Sequence, residues 1–428
     1  MSRSKDYAKD FLAFIDKSPS AFHAVKNIAS ELTEFGYQEL SEKEKWPLEP
    51  GGKYFVMRNG SSLISFHIGT GDLAENGFRL IGAHTDSPGL KIKPETFKNK
   101  NGYIAANVEV YGGPIVATWL DRPLSVAGRI TCSIDGEAVS KTVDFEEPIA
   151  IVPNAAIHVN RDINKGFEYN RQNHLQMIFA LASDRKPKEY FLKVLADKAG
   201  VNSDDILDYD LFAYDAQKSL IIGTEGEFIS AGRLDNLAMC HAVLKITTEI
   251  ENPISTFVGL HYDNEEIGST TLQGANSSFA KDILERISAN LTSSKEDFYR
   301  ATANSFQISA DGAHAVHPGF AEKHDPDYQP LLNGGPVIKQ NANFRYATTS
   351  ETSAYFENLC RKANVKCQKM MNRSDIPSGS TIGPMSSSIL GIKTVDVGNP
   401  MLAMHSVREM CGTEDHEMMI RVFREFAR

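Results

Sequence analysis

Cysteine is scarce. The 428 residues include five, Cys132, Cys240, Cys360, Cys367 and Cys411, and no two form a C-x-x-C pair. That excludes a zinc ribbon and a thioredoxin-type motif, and it fits reduced thiols in a cytosolic protein. No apolar run approaches the ~20 residues of a membrane span. The opening stretch, Met1-Ser-Arg-Ser-Lys-Asp-Tyr-Ala-Lys9, lacks the apolar core of a secretory signal. A cytoplasmic protein without a membrane partner is therefore expected. Basic charge is also in deficit: 45 Lys and Arg stand against 55 Asp and Glu, for a net charge of −10. Binding nucleic acid requires a face that neutralises phosphates, so no nucleic-acid partner is expected. There is no G-x-S-x-G elbow and no GxxxxGK[ST] loop, which leaves nucleophile-elbow hydrolysis and P-loop phosphate binding without support. Internal repeats and low-complexity tracts are absent as well.

What is present is ordinary globular composition, 41% apolar and 23% charged, which excludes wholesale disorder. At roughly 150 residues per domain the length suggests two or three domains. Tyr7, Phe11, Phe14 and Ile15 fall at helical spacing among charges, and Ser18-Pro19 closes that helix. Arg79–His84 reads as a buried strand ending in the polar turn Thr85–Pro88. From residue 94 to 230 the texture changes to short alternating runs such as Tyr103–Tyr111. Val126–Ile134 and Glu137–Phe145 form an expected hairpin around Asp135-Gly136, and a helix is expected at Lys188–Ala199. The pattern then returns to α/β. Helices are expected at Leu234–Ile250, Ser278–Ala289 and Glu414–Arg428, and strands at Thr256–Tyr262, Ser305–Ser309 and Lys393–Val397. Strands alternating with helices imply a largely parallel sheet covered on both faces. The expected organisation is one α/β domain, residues 1–93 and 231–428, interrupted by a β-rich insert at 94–230.

Five polar clusters border those strands and helices, where open α/β sheets place their sites. They are His84-Thr-Asp86, Arg233-Leu-Asp235-Asn236, Asp263-Asn-Glu265-Glu266-Ile-Gly-Ser269, Ser309-Ala-Asp311-Gly-Ala-His314 and Met404-His405-Ser-Val-Arg-Glu409. Taken singly, each has an ordinary structural explanation: a polar strand end, an acidic turn, a helix cap. Taken together, they supply nitrogen and carboxylate ligands without thiolate, a set suited to Zn²⁺, Mn²⁺ or Co²⁺. The number suffices for two ions: Asp235 shared, His84 and Asp311 on one, Glu266 and His405 on the other. Glu265 is then left as a free carboxylate beside them, the usual place of a general base in metal-assisted hydrolysis. Asp86 is placed to orient His84.

Several longer stretches carry a resemblance. HTDSP (84–88), RLDN (233–236), DNEEIGS (263–269), SADGAHAVHP (309–318), GPVIK (335–339), RYAT (345–348) and MHSVREMCG (404–412) resemble the M18 metallo-aminopeptidases, which include the aspartyl aminopeptidases. The likeness runs from Pro19-Ser-Ala-Phe-His23 to the last helix. It implies a three-layer α/β/α metallopeptidase domain with an inserted β-rich dimerisation domain, and a homododecamer built from dimers. It implies two divalent ions per subunit, usually zinc, with Co²⁺ or Mn²⁺ also compatible. Carried over by position, the ligands are His84, Asp235, Glu266, Asp311 and His405, with Glu265 as general base and Asp86 supporting the ligand histidine. His158 matches a residue that reaches a neighbouring subunit's site, Lys339 one near the pocket for the first side chain, and His314 one that lines that pocket. A cation at Lys339 would favour Asp and Glu at the substrate N-terminus, although neutral and aliphatic preferences also occur in the family.

The expected activity is removal of the N-terminal residue from peptides with a free α-amine. Two other readings stay open at this point. One is a related metallohydrolase such as an N-acyl amino acid deacylase. The other is a catalytically silent scaffold on the same shell, against which the complete ligand set and Glu265 argue.

Overall fold

The computed structural model describes residues 3–428. The chain divides into two compact units: Ser87–Lys218 with His405–Arg408, and the remainder. The insert expected from sequence at 94–230 compares with these limits.

The larger unit is built on a nine-stranded sheet. Its strands, in spatial order, are β1 (Gln38–Glu39), β2 (Lys53–Arg58), β3 (Ser62–His67), β14 (Thr256–Tyr262), β4 (Phe78–His84), β15 (Phe306–Ala310), β19 (Lys393–Gly398), β17 (Val337–Lys339) and β18 (Gln368–Met370). The central neighbours β14, β4, β15 and β19 run parallel. Antiparallel pairs flank them, β3 against β14 and β17 against β19, so the sheet is mixed towards its edges. A crossover sheet buried on both faces needs apolar residues on both sides of each strand, and β14 and β15 are buried at every position.

Alternation along the strands divides those residues between two cores. Ile81 and Ala83 of β4 pack with helices α1 (Arg3–Lys17), α2 (Ala21–Glu34), α5 (Leu234–Glu249), α8 (Ser350–Lys362) and α10 (Asp415–Ala427). Phe78 and Leu80 face the other way, towards α3 (Leu73–Asn76), α6 (Phe279–Leu291), α7 (Lys295–Ala303) and α9 (Ile382–Leu390). This is a three-layer α/β/α arrangement. In α1 the helical stripe expected from sequence is the buried one, with Phe11 and Ile15 fully enclosed. In α10 Met419, Ile420, Val422, Phe423 and Phe426 are buried in the same way. A separate small sheet holds β12 (Leu220–Ile222), β13 (Phe228–Ala231), β21 (Glu409–Gly412), β20 (Pro400–Leu402) and β16 (Ala313–His314).

The smaller unit has its own sheet and core. The sheet order is β10 (Gln176–Leu181), β7 (Tyr103–Tyr111), β5 (Gly89–Ile92), β11 (Ile206–Asp215), β8 (Leu124–Ile134) and β9 (Glu137–Asp144), with β6 (Lys98–Lys100) paired to β7. Strands β8 and β9 form the expected hairpin. Ile134 pairs with Glu137, and the two linking residues, Asp135 and Gly136, have φ of 52° and 84°. Two consecutive positive φ values match the twist of the strands, and Asp-Gly tolerates them best. Helix α4 (Pro187–Ala199) covers the sheet, with Phe191 stacked on Phe97 at 3.8 Å between ring centroids.

Candidate metal centre

The parallel strands at the middle of the sheet end side by side. His84 is the last residue of β4 and pairs with Tyr262, the last of β14. Asp311 follows β15 directly, and Glu265 and Glu266 sit on the short 3₁₀ turn that follows β14. Asp235 stands at the start of α5, where the backbone at Asp235 and Asn236 has not yet become helical. The cluster is therefore assembled at the carboxyl ends of neighbouring parallel strands, with one further carboxylate from a helix start.

His84 is at the centre and is 1% exposed. Its Nε2 lies 3.3 Å from Asp235 Oδ1 and 3.6 Å from Asp311 Oδ1. On the other side its Nδ1 lies 3.1 Å from the Asp86 carbonyl and 3.3 Å from Asp86 Oδ1. Asp86 does more than face the histidine: its two carboxylate oxygens accept from the backbone N–H groups of Glu265 and Glu266, each at 3.1 Å. One buried carboxylate thus fixes both the imidazole and the turn that carries the two glutamates. Ligand atoms of His84, Asp235 and Asp311 lie within 4.8 Å of one another, and so do those of His84, Glu265 and Glu266.

The charge balance within this cluster is unfavourable to carboxylates. Burial first, and then Asp311, Asp86 and Asp235, push the Glu265 carboxyl up to about 8, with His84 opposing. Burial and Asp235 drive Glu266 well above the usual range. Asp263 is pushed up to about 7 by burial and by Asp86. Burial works against a charged imidazole at His84, yet hydrogen bonds to Asp235, Asp311 and Asp86 raise it well above its usual value.

The model for the family described as "Aminopeptidase I zinc metalloprotease (M18)" matches residues 14–427. The chain belongs to the M18 peptidase family. It is 48% identical over 432 residues to a "Probable M18 family aminopeptidase 2" from Clostridium novyi (strain NT), covering 100% of this chain and 99% of that one. Among solved structures it is similar to one titled "Cryo-EM structure of the Ape4 and Nbr1 complex", with TM-score 0.95, 38% identity, and 99% and 85% of the two chains covered. It is also similar to one titled "Structure of S. cerevesiae mApe1 dodecamer", with TM-score 0.87, 30% identity, and 99% and 97% covered. The protein is a metallo-aminopeptidase, a hydrolase.

The donors of this M18 aminopeptidase fit the metal the family implies. They are imidazole and carboxylate without thiolate, which suits a catalytic Zn²⁺ site. Cations placed among the mutually repelling carboxylates would also reverse the upward shifts.

Lys339, on β17, is 1% exposed; its Nζ donates to the Gly312 carbonyl at 2.9 Å and lies 3.5 Å from Asp311 Oδ2. Burial works against its charge, yet Asp311 and its neighbours hold the ammonium above its usual range. His314 is exposed on β16. His405 belongs to the short segment grouped with the smaller unit, where its Nδ1 lies 3.1 Å from the Gly113 carbonyl. His158 is exposed in the irregular stretch of that unit between β9 and β10.

Three contributors were not assigned from sequence. Glu409, 2% exposed, accepts from the Asp235 backbone N–H at 3.1 Å. Cys240 donates its thiol to the His84 carbonyl at 3.0 Å. Arg233 grips the end of α1. Glu409 and Arg233 stand inside quoted motifs, so the signal was present as unexplained charge. Cys240 carried no signal beyond its place in a helix.

Proposed function

We propose that this aminopeptidase works with two divalent ions, zinc in the first instance, with Co²⁺ or Mn²⁺ as alternatives. Asp235 would bridge them, His84 and Asp311 would complete one shell, and Glu266 with His405 the other. The observation that carries this reading is the convergence of His84, Asp235, Asp311, Glu265 and Glu266 at one strand-end cluster. When bound, such ions supply Lewis acidity for the scissile carbonyl and lower the pKa of water towards neutrality.

The residues of the chain do the rest. Glu265 takes the proton of the attacking water and later returns it to the leaving amine. Asp86 keeps Nδ1 of His84 engaged, so that Nε2 faces the ligand carboxylates, and holds Glu265 in place through its backbone. The free α-amine of the substrate would dock against the ions or a nearby carboxylate, which confines cutting to the peptide terminus. Lys339 brings a buried positive charge next to Asp311, so we assign a lean towards Asp and Glu as the residue removed. His314 would line that pocket.

Self-association belongs to the same reading. The smaller unit exposes Ile151, Ile157, Val159, Leu181 and Leu207, a set suited to contact with further copies. The likeness to the mApe1 dodecamer supports a homododecamer built from dimers. There His158 would enter a neighbouring copy's site and steady the substrate carbonyl or its oxyanion. Among the described residues no helix is long and apolar enough to cross a membrane. All five cysteines are free thiols, which supports a reducing, cytoplasmic setting.

The test is a panel of aminoacyl-p-nitroanilides carrying Asp, Glu, Leu, Met and Lys, with an N-acetylated control. It is run after chelation and after restoring Zn²⁺, Co²⁺ or Mn²⁺. Metal-restored cleavage of the free substrates alone, led by Asp and Glu, is the expected result. Release of p-nitroaniline from the acetylated control would contradict the need for a free α-amine, loss of its acetyl group without that release would mark deacylation, and a preference for Leu or Met would remove Lys339 as selector.

A further inference from the structure

Arg233 opens α5, two residues before Asp235, and has no role in the chemistry above. Its backbone is left-handed, with φ 58° and ψ 27°, a conformation that costs a non-glycine residue and persists only where the surroundings enforce it. Its side chain shows what enforces it. The guanidinium donates through Nε to the Ser18 carbonyl and through Nη2 to the Ile15 carbonyl, both at 3.2 Å. These carbonyls lie at the C-terminal end of α1, where the helix presents its partial negative charge. A planar fork holds both in a fixed geometry, whereas an ammonium is a compact charge with freely rotating donors.

Helix α1 is itself a firm support. Phe11 and Ile15 are fully buried. Asp10 binds Lys245 at 2.8 Å and His241 at 3.3 Å, both on α5. Asp16 accepts from Ser219 through both its backbone N–H, at 3.0 Å, and its hydroxyl, at 2.7 Å. Beyond Arg233 the stretch is held again: Asp235 N–H by Glu409, and the Asn236 side chain by the Ala310 carbonyl at 2.9 Å. Arg233, Asp235 and Asn236 thus depart from helical backbone, and side-chain contacts of Arg233, Glu409 and Asn236 hold them there.

We propose that Arg233 is a positioning residue for the metal centre, transmitting the fixed position of the N-terminal helix α1 to the ligand Asp235. This rests on the reading of Asp235 as the shared ligand. It makes α1 part of the active-site scaffold.

The experiment compares full-length Arg233→Met, Arg233→Lys and Asp235→Asn with the parent chain. Zinc affinity is measured by competition with a chromophoric chelator, and amide exchange is followed over residues 3–17. Arg233→Met is expected to weaken zinc binding by about 10- to 100-fold, the usual range for residues that orient ligands, and to speed exchange at the end of α1. Arg233→Lys, which keeps the charge but loses the rigid fork, is expected to fall between Met and the parent. Should Arg233→Met not fold, weakened zinc binding in folded Arg233→Lys carries the proposal, and parental zinc affinity in that variant overturns it. Parental affinity in folded Arg233→Met likewise overturns it. Parental affinity in Asp235→Asn instead removes the underlying reading of Asp235 as a ligand.

Discussion

A side chain at Gly398 would strike the backbone of Asp311, a proposed ligand, since a Cβ built there lies 1.7 Å from its carbonyl oxygen. Gly398 ends β19, and the Asp311 N–H donates to the Val397 carbonyl at 2.9 Å, so the two strand ends touch. No flexible group is present to give way. Gly398→Ala is therefore expected to shift Asp311 and weaken zinc binding by more than about tenfold, measured by chelator competition on protein shown to be folded. Unchanged affinity would mean that Asp311 does not need this position. At this scale much of the site was legible in the sequence, because carboxylates and histidines directly after apolar strands stand out against the pattern. The clamp of Asp86 on the N–H groups of Glu265 and Glu266 was not legible, since a side chain that binds backbone across 179 positions leaves no mark in residue type. Glu409 and Arg233 escaped for the same reason.

Long apolar or amphipathic stretches were legible as elements, α5 by its near-continuous burial and α10 by its 3.6-residue stripe. The strand expected at Thr256–Tyr262 is found at those limits, and the helices expected at Leu234–Ile250 and Glu414–Arg428 end within a residue of α5 and α10. Helix α9 was not named: Ile-Gly-Pro-Met-Ser-Ser-Ser-Ile-Leu has weak helix formers, and tertiary packing of Ile382 and Leu390 decides it. The small sheet was missed as well, because strands of two to four residues are too short to show alternation.

The contact between α1, α5 and α10 makes an element-scale prediction. His241 Nδ1 lies 2.8 Å from His416 Nε2 in a fully buried pair, with Phe11 stacked on His416 at 4.4 Å. Asp10 and Lys245 face the pair, and Glu31 faces Lys245. Burial holds both imidazoles below their usual range, with His241 partly restored by Asp10. The folded state then binds fewer protons than the unfolded chain once the pH falls below about 6.5. Stability from this pair is present above that pH and is lost as the pH falls. Melting temperature should drop between pH 7 and 5, and His416→Leu should make the drop shallower. An identical acid profile in that variant would clear the pair of any part in it.

The whole molecule adds the question of assembly. If His158 serves a neighbouring copy, His158→Ala should lower kcat by about 10²- to 10³-fold, as loss of an oxyanion contact does. Zinc content and sedimentation coefficient should stay unchanged. A variant with parental kcat would make His158 a surface residue of the smaller unit and nothing more. The sedimentation coefficient of the parent chain tests the dodecamer directly. Oligomeric state had no signature in composition or periodicity, because an exposed apolar residue such as Val159 looks in sequence like any other valine.

In the proposed mechanism Glu265, a carboxylate beside the proposed ligands and not one of them, moves the proton. The direct measurement is turnover and bound zinc in one preparation of Glu265→Gln. A fall in kcat of about 10²- to 10⁴-fold is expected, with zinc content and assembly intact. Full activity in zinc-loaded Glu265→Gln would contradict it.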